Sequence, residues 1–204
     1  MRRIIWGLVF IFLGLVFLFY PLAQNKAFQD KQEKLIATFE QLGSYDEEGE
    51  DSISTTKLEK TLTDDEINEI SGARGVIEIP KINLKMLIFE GADAQALSNG
   101  VGMIEPNKKL GVQNVGLAGH RGAAYGKQFN RLNELTSGDE ITIKANSNVY
   151  TFIVDQSFIV HRTEVGVLAD KKEPYLTLVT CTPIGKKNPP KRLIVQAKLK
   201  STNH

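Results

Sequence analysis

The chain has 204 residues, of which 42% are hydrophobic and 24% are charged, and its formal net charge is +1. This composition excludes a disordered chain, and the single cysteine excludes a disulfide-stabilised scaffold. The near-neutral total hides an uneven distribution: residues 24–75 have 13 acidic and six basic side chains, net −7, whereas residues 76–204 have 17 basic and 11 acidic ones, net +6. We therefore expect an acidic segment followed by a basic domain.

The first predicted element is an apolar helix at the N-terminus. Residues 4–23 are 20 uncharged positions rich in Ile, Leu, Val and Phe, and as a helix they span about 30 Å, the thickness of a bilayer core. Arg2 and Arg3 precede the run, which predicts that residues 1–3 are cytoplasmic and the rest of the chain is extracellular. The run is longer than the core of a signal peptide and ends at a poor cleavage site, so an uncleaved single-pass anchor is predicted.

The second predicted element is an acidic, partly helical stalk over residues 24–75. Apolar residues recur at roughly helical spacing in its first part: Phe28, Leu35, Phe39 and Leu42. Residues 46–51 form an acidic run typical of a solvated break. The simpler interpretation is a spacer that holds the next domain away from the membrane. The alternative is that the stalk docks on the basic domain and covers its functional site.

From residue 76 the pattern changes to short apolar runs separated by Gly, Asn, Asp and Pro. We count about eight such runs, at residues 76–79, 84–89, 115–118, 141–143, 149–154, 158–160, 176–180 and 193–199. They are rich in β-branched and aromatic residues, which predicts an all-β sandwich or barrel. One short helix is predicted at residues 128–135. We place the domain at residues 76–200, followed by a tail at residues 201–204.

The single cysteine, Cys181, lies at the end of a predicted strand and is followed by Thr182 and Pro183. Proline cannot donate to a strand ladder, so the strand ends there and Cys181 lies near a rim, where catalytic groups are common. A lone cysteine is nevertheless more often a small buried hydrophobic residue than a nucleophile. The residue types alone leave both interpretations open.

Two histidines and one arginine are candidate partners of this cysteine. His120 and His161 each follow a predicted strand, and an imidazole near a thiol can generate the thiolate or protonate a leaving amine. Spacing alone does not say which of them faces the thiol. Arg192 begins the strand after Cys181, where a guanidinium could stabilise an oxyanion. The alternative for Arg192 is a place in a solvated basic loop.

Three segments resemble motifs of the sortase family of cysteine transpeptidases. Residues 177–181, Thr-Leu-Val-Thr-Cys, resemble its nucleophile motif, residues 117–121 its histidine segment, and residues 191–195 its arginine-bearing strand. They occur in the family's order, and this joint order is more specific than any one motif. Residues 75–82 also resemble the family's opening strand, so the resemblance covers about residues 74–200.

The resemblance implies an eight-stranded sortase-type β-barrel and a two-step transpeptidation. It implies that Cys181 attacks the Thr–Gly carbonyl of an LPxTG-like sorting signal in a surface protein and forms a thioester. It further implies that His120 protonates the leaving amine and that Arg192 binds the substrate or the oxyanion. The residues expected to line the substrate are Ala118, Val179 and Thr180. An amine acceptor, either a peptidoglycan precursor or a pilin lysine, then resolves the thioester.

Features of different sortase classes are mixed in this sequence. Residues 120–122 and 180–183 resemble the pilin-polymerising, class C-like members. The sequence has neither the Asp-Pro dipeptide of their lid motif nor an apolar C-terminal segment. Glu105 is in a plausible place for the calcium site of the housekeeping members, but Lys108 and Lys109 lie beside it. We therefore expect no metal and no other cofactor.

Two other functions remain as alternatives. A wall-crosslinking L,D-transpeptidase also uses a cysteine, but its Ser-x-Gly-Cys segment is not present around Cys181. A non-catalytic, membrane-anchored β-domain could bind anionic cell-wall polymers through its net charge of +6. That alternative predicts a buried and unreactive Cys181. Nucleic acid is not an expected partner of either enzyme or binding domain.

Overall fold

Eight strands close into a barrel in the computed structural model, which describes residues 2–43, 64–122, 128–186 and 188–203. The strands are β1 (Ala73–Ile79), β2 (Leu84–Glu90), β3 (Val101–Met103), β4 (Asn114–Ala118), β5 (Glu140–Ala145), β6 (Asn148–His161), β7 (Tyr175–Thr182) and β8 (Lys191–Asn203). Their order around the barrel is β1-β2-β3-β4-β7-β8-β6-β5, and β5 pairs back with β1. The predicted eight-stranded all-β barrel is confirmed.

The strand bounds differ from the predicted runs. The runs predicted at residues 149–154 and 158–160 form the single strand β6, and β3 was not among the predicted runs. Strand β8 continues to Asn203 because β6 supplies hydrogen-bonding partners for Ser201, Thr202 and Asn203. The residues predicted to be a C-terminal tail are therefore largely part of the sheet.

Two strand pairs are parallel, namely β2 with β3 and β4 with β7. The register of the second pair places Ala118 opposite Val179. Parallel strands end on the same side of a sheet. The residues that follow β4 and the last residues of β7 consequently lie at the same edge of the barrel.

The helices are short except for the first. They are α1 (Arg2–Gly43), α2 (Asp64–Ile70) and α3 (Ala94–Asn99), with 3₁₀ helices at Pro80–Ile82, Gln128–Glu134 and Val165–Leu168. The helix predicted at residues 128–135 is thus a 3₁₀ helix. The apolar run at residues 4–23 is helical, as expected, and forms one continuous helix with the start of the predicted stalk. In the described part of the chain, no helix meets the length and apolarity expected of a membrane span.

The barrel interior is filled by inward-facing side chains of alternating strand residues. The largest fully buried members include Ile77, Ile79, Ile141, Ile143, Phe152 and Leu176. The 3₁₀ helix Gln128–Glu134 adds Phe129 and Leu132, both fully buried in this same cluster. Burying each such side chain contributes about 1.5–3 kcal/mol to folding. The core therefore anchors the connection between β4 and β5, which contains the candidate histidine, His120.

A second apolar cluster joins the end of α1 to the outside of the barrel. Its buried members are Leu35, Ile36, Ile70, Val76, Leu87, Phe89 and Ala96. Gln32 Nε2 also donates to Asn99 O at 2.9 Å. The spacer interpretation is therefore wrong for this part of the stalk, which docks on β2 and α3. Net charge concealed the docking because the acidic side chains of α1, such as Asp30, Glu33 and Glu40, lie on its exposed face. The acidic run at residues 46–51 lies outside the described residues.

Candidate active site

Cys181 and Arg192 lie opposite each other on neighbouring strands. The antiparallel register of β7 and β8 pairs these two residues directly. Side chains of directly opposed residues project from the same face of a sheet. Both side chains are half-buried. The structure therefore brings the predicted nucleophile and the predicted guanidinium to one face of the barrel wall.

The alternation along β7 decides which face this is. Leu176 and Leu178 are fully buried in the barrel core, so Val179 and Cys181 project outward. Ala118 on β4 is opposite Val179 and is likewise half-buried. Two of the three predicted substrate-lining residues consequently form a strip of small apolar side chains beside the thiol.

Thr180, the third predicted substrate-lining residue, lies on the other face. Its side chain is 2% exposed and its Oγ1 donates to Gly119 O at 2.7 Å. The side chain is therefore unavailable to a substrate in the outer strip. Instead, it holds the residue that immediately precedes His120.

His120 lies at the same barrel edge as Cys181, two residues after β4 ends at Ala118. Gly119 N donates to Val179 O at 3.1 Å, which extends the β4–β7 ladder by one bond. Phe129 N donates to His120 O at 3.1 Å and connects this segment to a residue of the core. The imidazole itself is exposed, and in the described part of the chain no hydrogen bond joins it to the thiol. Catalytic hydrogen bonds often form only when substrate is bound.

Arg192 uses one nitrogen to bind its own loop. Nη1 donates to Pro189 O at 2.8 Å and to Lys191 O at 3.0 Å. A guanidinium has five N–H donors in a rigid fork, and the two on Nη1 are engaged here. Arg192 therefore also fixes the connection between β7 and β8, which borders Cys181. His161 pairs in register with Lys191, and its Nδ1 is 2.8 Å from Thr163 Oγ1, which gives this imidazole a local partner.

Arg121 is a residue of the site to which the sequence analysis assigned no role. Its Nη1 donates to Thr182 Oγ1 at 3.1 Å and its Nη2 to Asn133 Oδ1 at 2.8 Å. Partial burial lowers the pKa of its guanidinium. The available signal was its position directly after His120. The contact with Thr182, which directly follows Cys181, depends on strand pairing that spacing does not reveal.

A buried polar network lies further down the outer face of β7. Thr177 Oγ1 donates to Asn114 Oδ1 at 2.7 Å, and Asn114 Nδ2 donates to Val167 O and Ala169 O at 3.1 and 3.0 Å. Gln196 Nε2 also donates to Val167 O at 3.0 Å. These bonds hold the β6–β7 connection over the sheet. That connection therefore borders the outer strip on the side away from Arg192's loop.

Comparison with known proteins identifies one family. The model of the sortase domain matches residues 77–200. The chain is 33% identical over 137 residues to Sortase D of Bacillus subtilis (strain 168), covering 64% of this chain and 65% of that protein. It is 23% identical over 185 residues to Sortase A of Listeria monocytogenes serovar 1/2a, covering 86% of this chain and 82% of that protein.

Solved structures with this fold have the same family name. The structure of sortase A from Listeria monocytogenes has a TM-score of 0.62 and 26% identity, covering 65% of this chain and 90% of that chain. The pilus-related sortase C of Group B Streptococcus has a TM-score of 0.59 and 30% identity, covering 64% of this chain and 69% of that chain.

Proposed function

The chain belongs to the sortase family of cysteine transpeptidases, and we propose that it cleaves an LPxTG-like sorting signal between Thr and Gly and transfers the surface protein to an amine. The observation that supports this most is the arrangement at one barrel edge. Cys181 projects outward on the same face as Arg192, and His120 follows the strand that runs parallel to β7. A purely structural cysteine requires neither an arginine opposite it nor a histidine at the same barrel edge.

In the first step, Cys181 Sγ attacks the Thr carbonyl carbon of the sorting signal. Arg192 donates hydrogen bonds to the substrate or to the developing oxyanion, which is the charge that such donors stabilise. The C–N bond then breaks, its electron pair stays on the glycine nitrogen, and the His120 imidazolium protonates that nitrogen. The C-terminal peptide leaves as a free amine, and the surface protein remains bound as a thioester.

In the second step, an acceptor amine attacks the thioester carbonyl. His120, now neutral, takes a proton from the attacking nitrogen, and the Cys181 thiolate leaves with the electrons of the C–S bond. A new amide joins the surface protein to its acceptor, and the enzyme returns to its starting state. We propose a peptidoglycan precursor or a pilin lysine as this acceptor.

The outer strip supports a role for Ala118 and Val179 in substrate binding. Their side chains are half-buried and border Cys181 on the outer face. Small apolar residues leave room for an extended peptide to approach β4 and β7 closely. We propose that this strip contacts the apolar part of the sorting signal.

We also propose that the N-terminal half of α1 anchors the enzyme in the cell membrane in a single pass. The N-terminus would be cytoplasmic and the barrel extracellular. Large apolar side chains are exposed on this helix, including Phe12, Leu15 and Phe19. Exposed apolar surface of this extent needs a non-aqueous partner. Alkaline extraction of membranes from producing cells tests this, because an integral anchor keeps the protein in the pellet and a peripheral association releases it.

The reaction is tested with the full chain in detergent and a fluorogenic LPxTG peptide, with and without hydroxylamine as a surrogate amine. We expect cleavage, a hydroxamate product, and a Cys181 thioester detectable by mass spectrometry. Cys181→Ala should abolish all three, and Lys186→Ala, in the same connection between β7 and β8, serves as control. Full cleavage by Cys181→Ala would refute the mechanism. Absence of cleavage together with an unreactive thiol would instead favour the non-catalytic wall-binding domain.

A further inference from the structure

The backbone on the N-terminal side of His120 is held firmly by β7. Gly119 donates its N–H to Val179 O and accepts a hydrogen bond from Thr180 Oγ1. Both bonds are made by the residue before His120. The exposed side chain of His120 has to approach the thiol of Cys181 during the reaction. The position of the imidazole therefore also depends on what holds the backbone on its C-terminal side.

On that side, Phe129 N donates to His120 O, and the Arg121 side chain supplies a further attachment that reaches β7 itself. Its guanidinium bonds Thr182 Oγ1 on β7 and Asn133 Oδ1 on the 3₁₀ helix Gln128–Glu134. A third, longer contact runs from its Nε to Asn130 O at 3.4 Å. A planar guanidinium satisfies several acceptors in a fixed geometry, which the single ammonium of a lysine does not reproduce.

The acceptor of the Arg121 bond on β7, Thr182 Oγ1, belongs to the residue next to the proposed nucleophile. Thr182 is 8% exposed and directly follows Cys181. The bond therefore connects the residue after the general acid to the residue after the nucleophile. Thr180, on the other side of Cys181, holds Gly119, so each neighbour of the nucleophile bonds one neighbour of the histidine.

We propose that Arg121 is a positioning residue that sets the distance between the His120 imidazole and the Cys181 thiol through its bond to Thr182. It acts through His120 and touches neither the sorting signal nor the acceptor. The kinetic part of this inference rests on the proposed transpeptidation. Its geometric part does not, because the thiol and the imidazole influence each other whether or not the peptide is the right one.

The test uses the full chain with Arg121→Met, Arg121→Lys, Thr182→Val and Thr182→Ser. A small misplacement of a catalytic group can cost about 100-fold in rate, and we expect kcat for Arg121→Met and Thr182→Val to fall about 10- to 100-fold with KM nearly unchanged. Thr182→Ser keeps the hydroxyl and should keep the activity. Arg121→Lys should recover only part of it. Arg74→Met, at an exposed arginine that pairs with Glu90 on the far side of the barrel, is the matched control.

Two readouts separate positioning from general structural support. The pH profile of kcat/KM should shift in Arg121→Met but not in Arg74→Met. The double variant Arg121→Met/Thr182→Val should be no slower than Arg121→Met alone, because both changes remove the same bond. The proposal would be overturned if the rate losses of the two single variants multiplied in the double variant. It would also be overturned if Arg121→Met kept the wild-type pH profile of kcat/KM. A rate loss that matches only a fall in the folded fraction, measured by circular dichroism, would overturn it as well.

A substrate-independent measurement distinguishes failure of this proposal from failure of the proposed function. The rate of Cys181 alkylation by iodoacetamide is followed across pH in wild type, His120→Ala, Arg121→Met and Arg74→Met. We expect Arg121→Met to resemble His120→Ala and Arg74→Met to resemble the wild type. If the wild type cleaves no sorting peptide but alkylation follows this pattern, the function is wrong and the positioning role stands. If alkylation in Arg121→Met matches the wild type, the positioning role is wrong.

Discussion

Alternation along a single strand separates the proposed nucleophile, Cys181, from the residues that support it. Cys181 projects outward, whereas Thr180 and Thr182 project inward and are almost fully buried. Each of these threonines bonds a residue beside His120. The two hydroxyls therefore act as attachments for the histidine segment, and the half-buried thiol between them lies on the outer face.

The first prediction concerns Thr180. In Thr180→Val, Gly119 O loses the hydroxyl that donates to it, and an unsatisfied buried polar group costs about 1–3 kcal/mol. We expect a decrease of that size in the free energy of unfolding, measured by urea denaturation. Thr180→Ser keeps the hydroxyl and should lose less. Equal stability of Thr180→Val and wild type would show that the bond to Gly119 contributes nothing.

The second prediction concerns Arg192. Removing one donor of an oxyanion site typically lowers kcat by about 100- to 1,000-fold, and we expect Arg192→Ala to lose activity in that range. Arg192→Lys should remain impaired because a single ammonium does not reproduce the fork. The control is Lys191→Ala, at the neighbouring exposed position. Peptide cleavage is the measurement, and a fully active Arg192→Lys would mean that charge alone is sufficient.

At the scale of elements, α1 belongs to the folded domain and is not a mere tether. Leu35 and Ile36 are 3% and 2% exposed, and they cover Val76, Leu87 and Phe89 on the outer side of β1 and β2. A barrel starting at residue 76 would expose these apolar side chains to water. The domain boundary predicted at residue 76, from the change in sequence pattern and charge, therefore cuts through an apolar cluster.

The third prediction follows from this packing. Buried Leu→Ala changes typically cost about 2–5 kcal/mol, and we expect Leu35→Ala to destabilise the barrel within that range. Glu33→Ala, at an exposed position two residues earlier on α1, should have little effect. Thermal unfolding followed by near-UV circular dichroism reports on the barrel rather than on the helix. An unchanged midpoint for Leu35→Ala would indicate that α1 packs without stabilising the fold.

At the scale of the whole molecule, one lysine joins two connections that are distant in sequence. Lys108 Nζ, on the β3–β4 connection, donates to Leu168 O at 2.6 Å and lies 3.1 Å from Asp170 Oδ1, both on the β6–β7 connection. Glu105 Oε2 is 3.0 Å from the same ammonium. Hydrogen bonds from Gln113 and Lys108 hold the pKa of Asp170 below its usual value. Burial opposes the charge of Lys108, but the bonds to Glu105 and Asp170 outweigh it and raise the pKa of Lys108.

The fourth prediction is the pH dependence of this link. Because the pKa of Asp170 is lowered, its carboxylate contributes fully to the free energy of unfolding above the usual carboxyl pKa of 3.8. That contribution is lost as pH falls through the pKa of Asp170 in the folded state. Because the pKa of Lys108 is raised, its ammonium contributes to the free energy of unfolding until the pH exceeds the usual lysine pKa of 10.5. The difference in free energy of unfolding between wild type and Lys108→Met should therefore be constant near neutral pH and become smaller in acid. Lys109→Met is the control, and parallel pH profiles for wild type and Lys108→Met would contradict the prediction.

Periodicity in the sequence indicated about eight strands in a sandwich or barrel. The order of the motifs indicated the family, and the resemblance implied the eight-stranded barrel and the candidates Cys181, His120 and Arg192. These features are local: strand runs alternate with turn residues, and short motifs keep their spacing. The strand bounds were less accurate, since β8 extends to Asn203 through pairing with β6.

Only the tertiary structure decided which residues meet. Pairing of β4 with β7 brings Thr180 to Gly119 and Thr182 to Arg121, each across 61 positions of the chain. Pairing of β7 with β8 places Cys181 opposite Arg192. Thr180 faces inward because side chains alternate along β7 and Thr180 shares the face of the core residues. The motif around Cys181 does not indicate this direction. Docking of α1 was likewise undecided, because net charge counts all side chains equally while burial depends on the one face that carries Leu35 and Ile36.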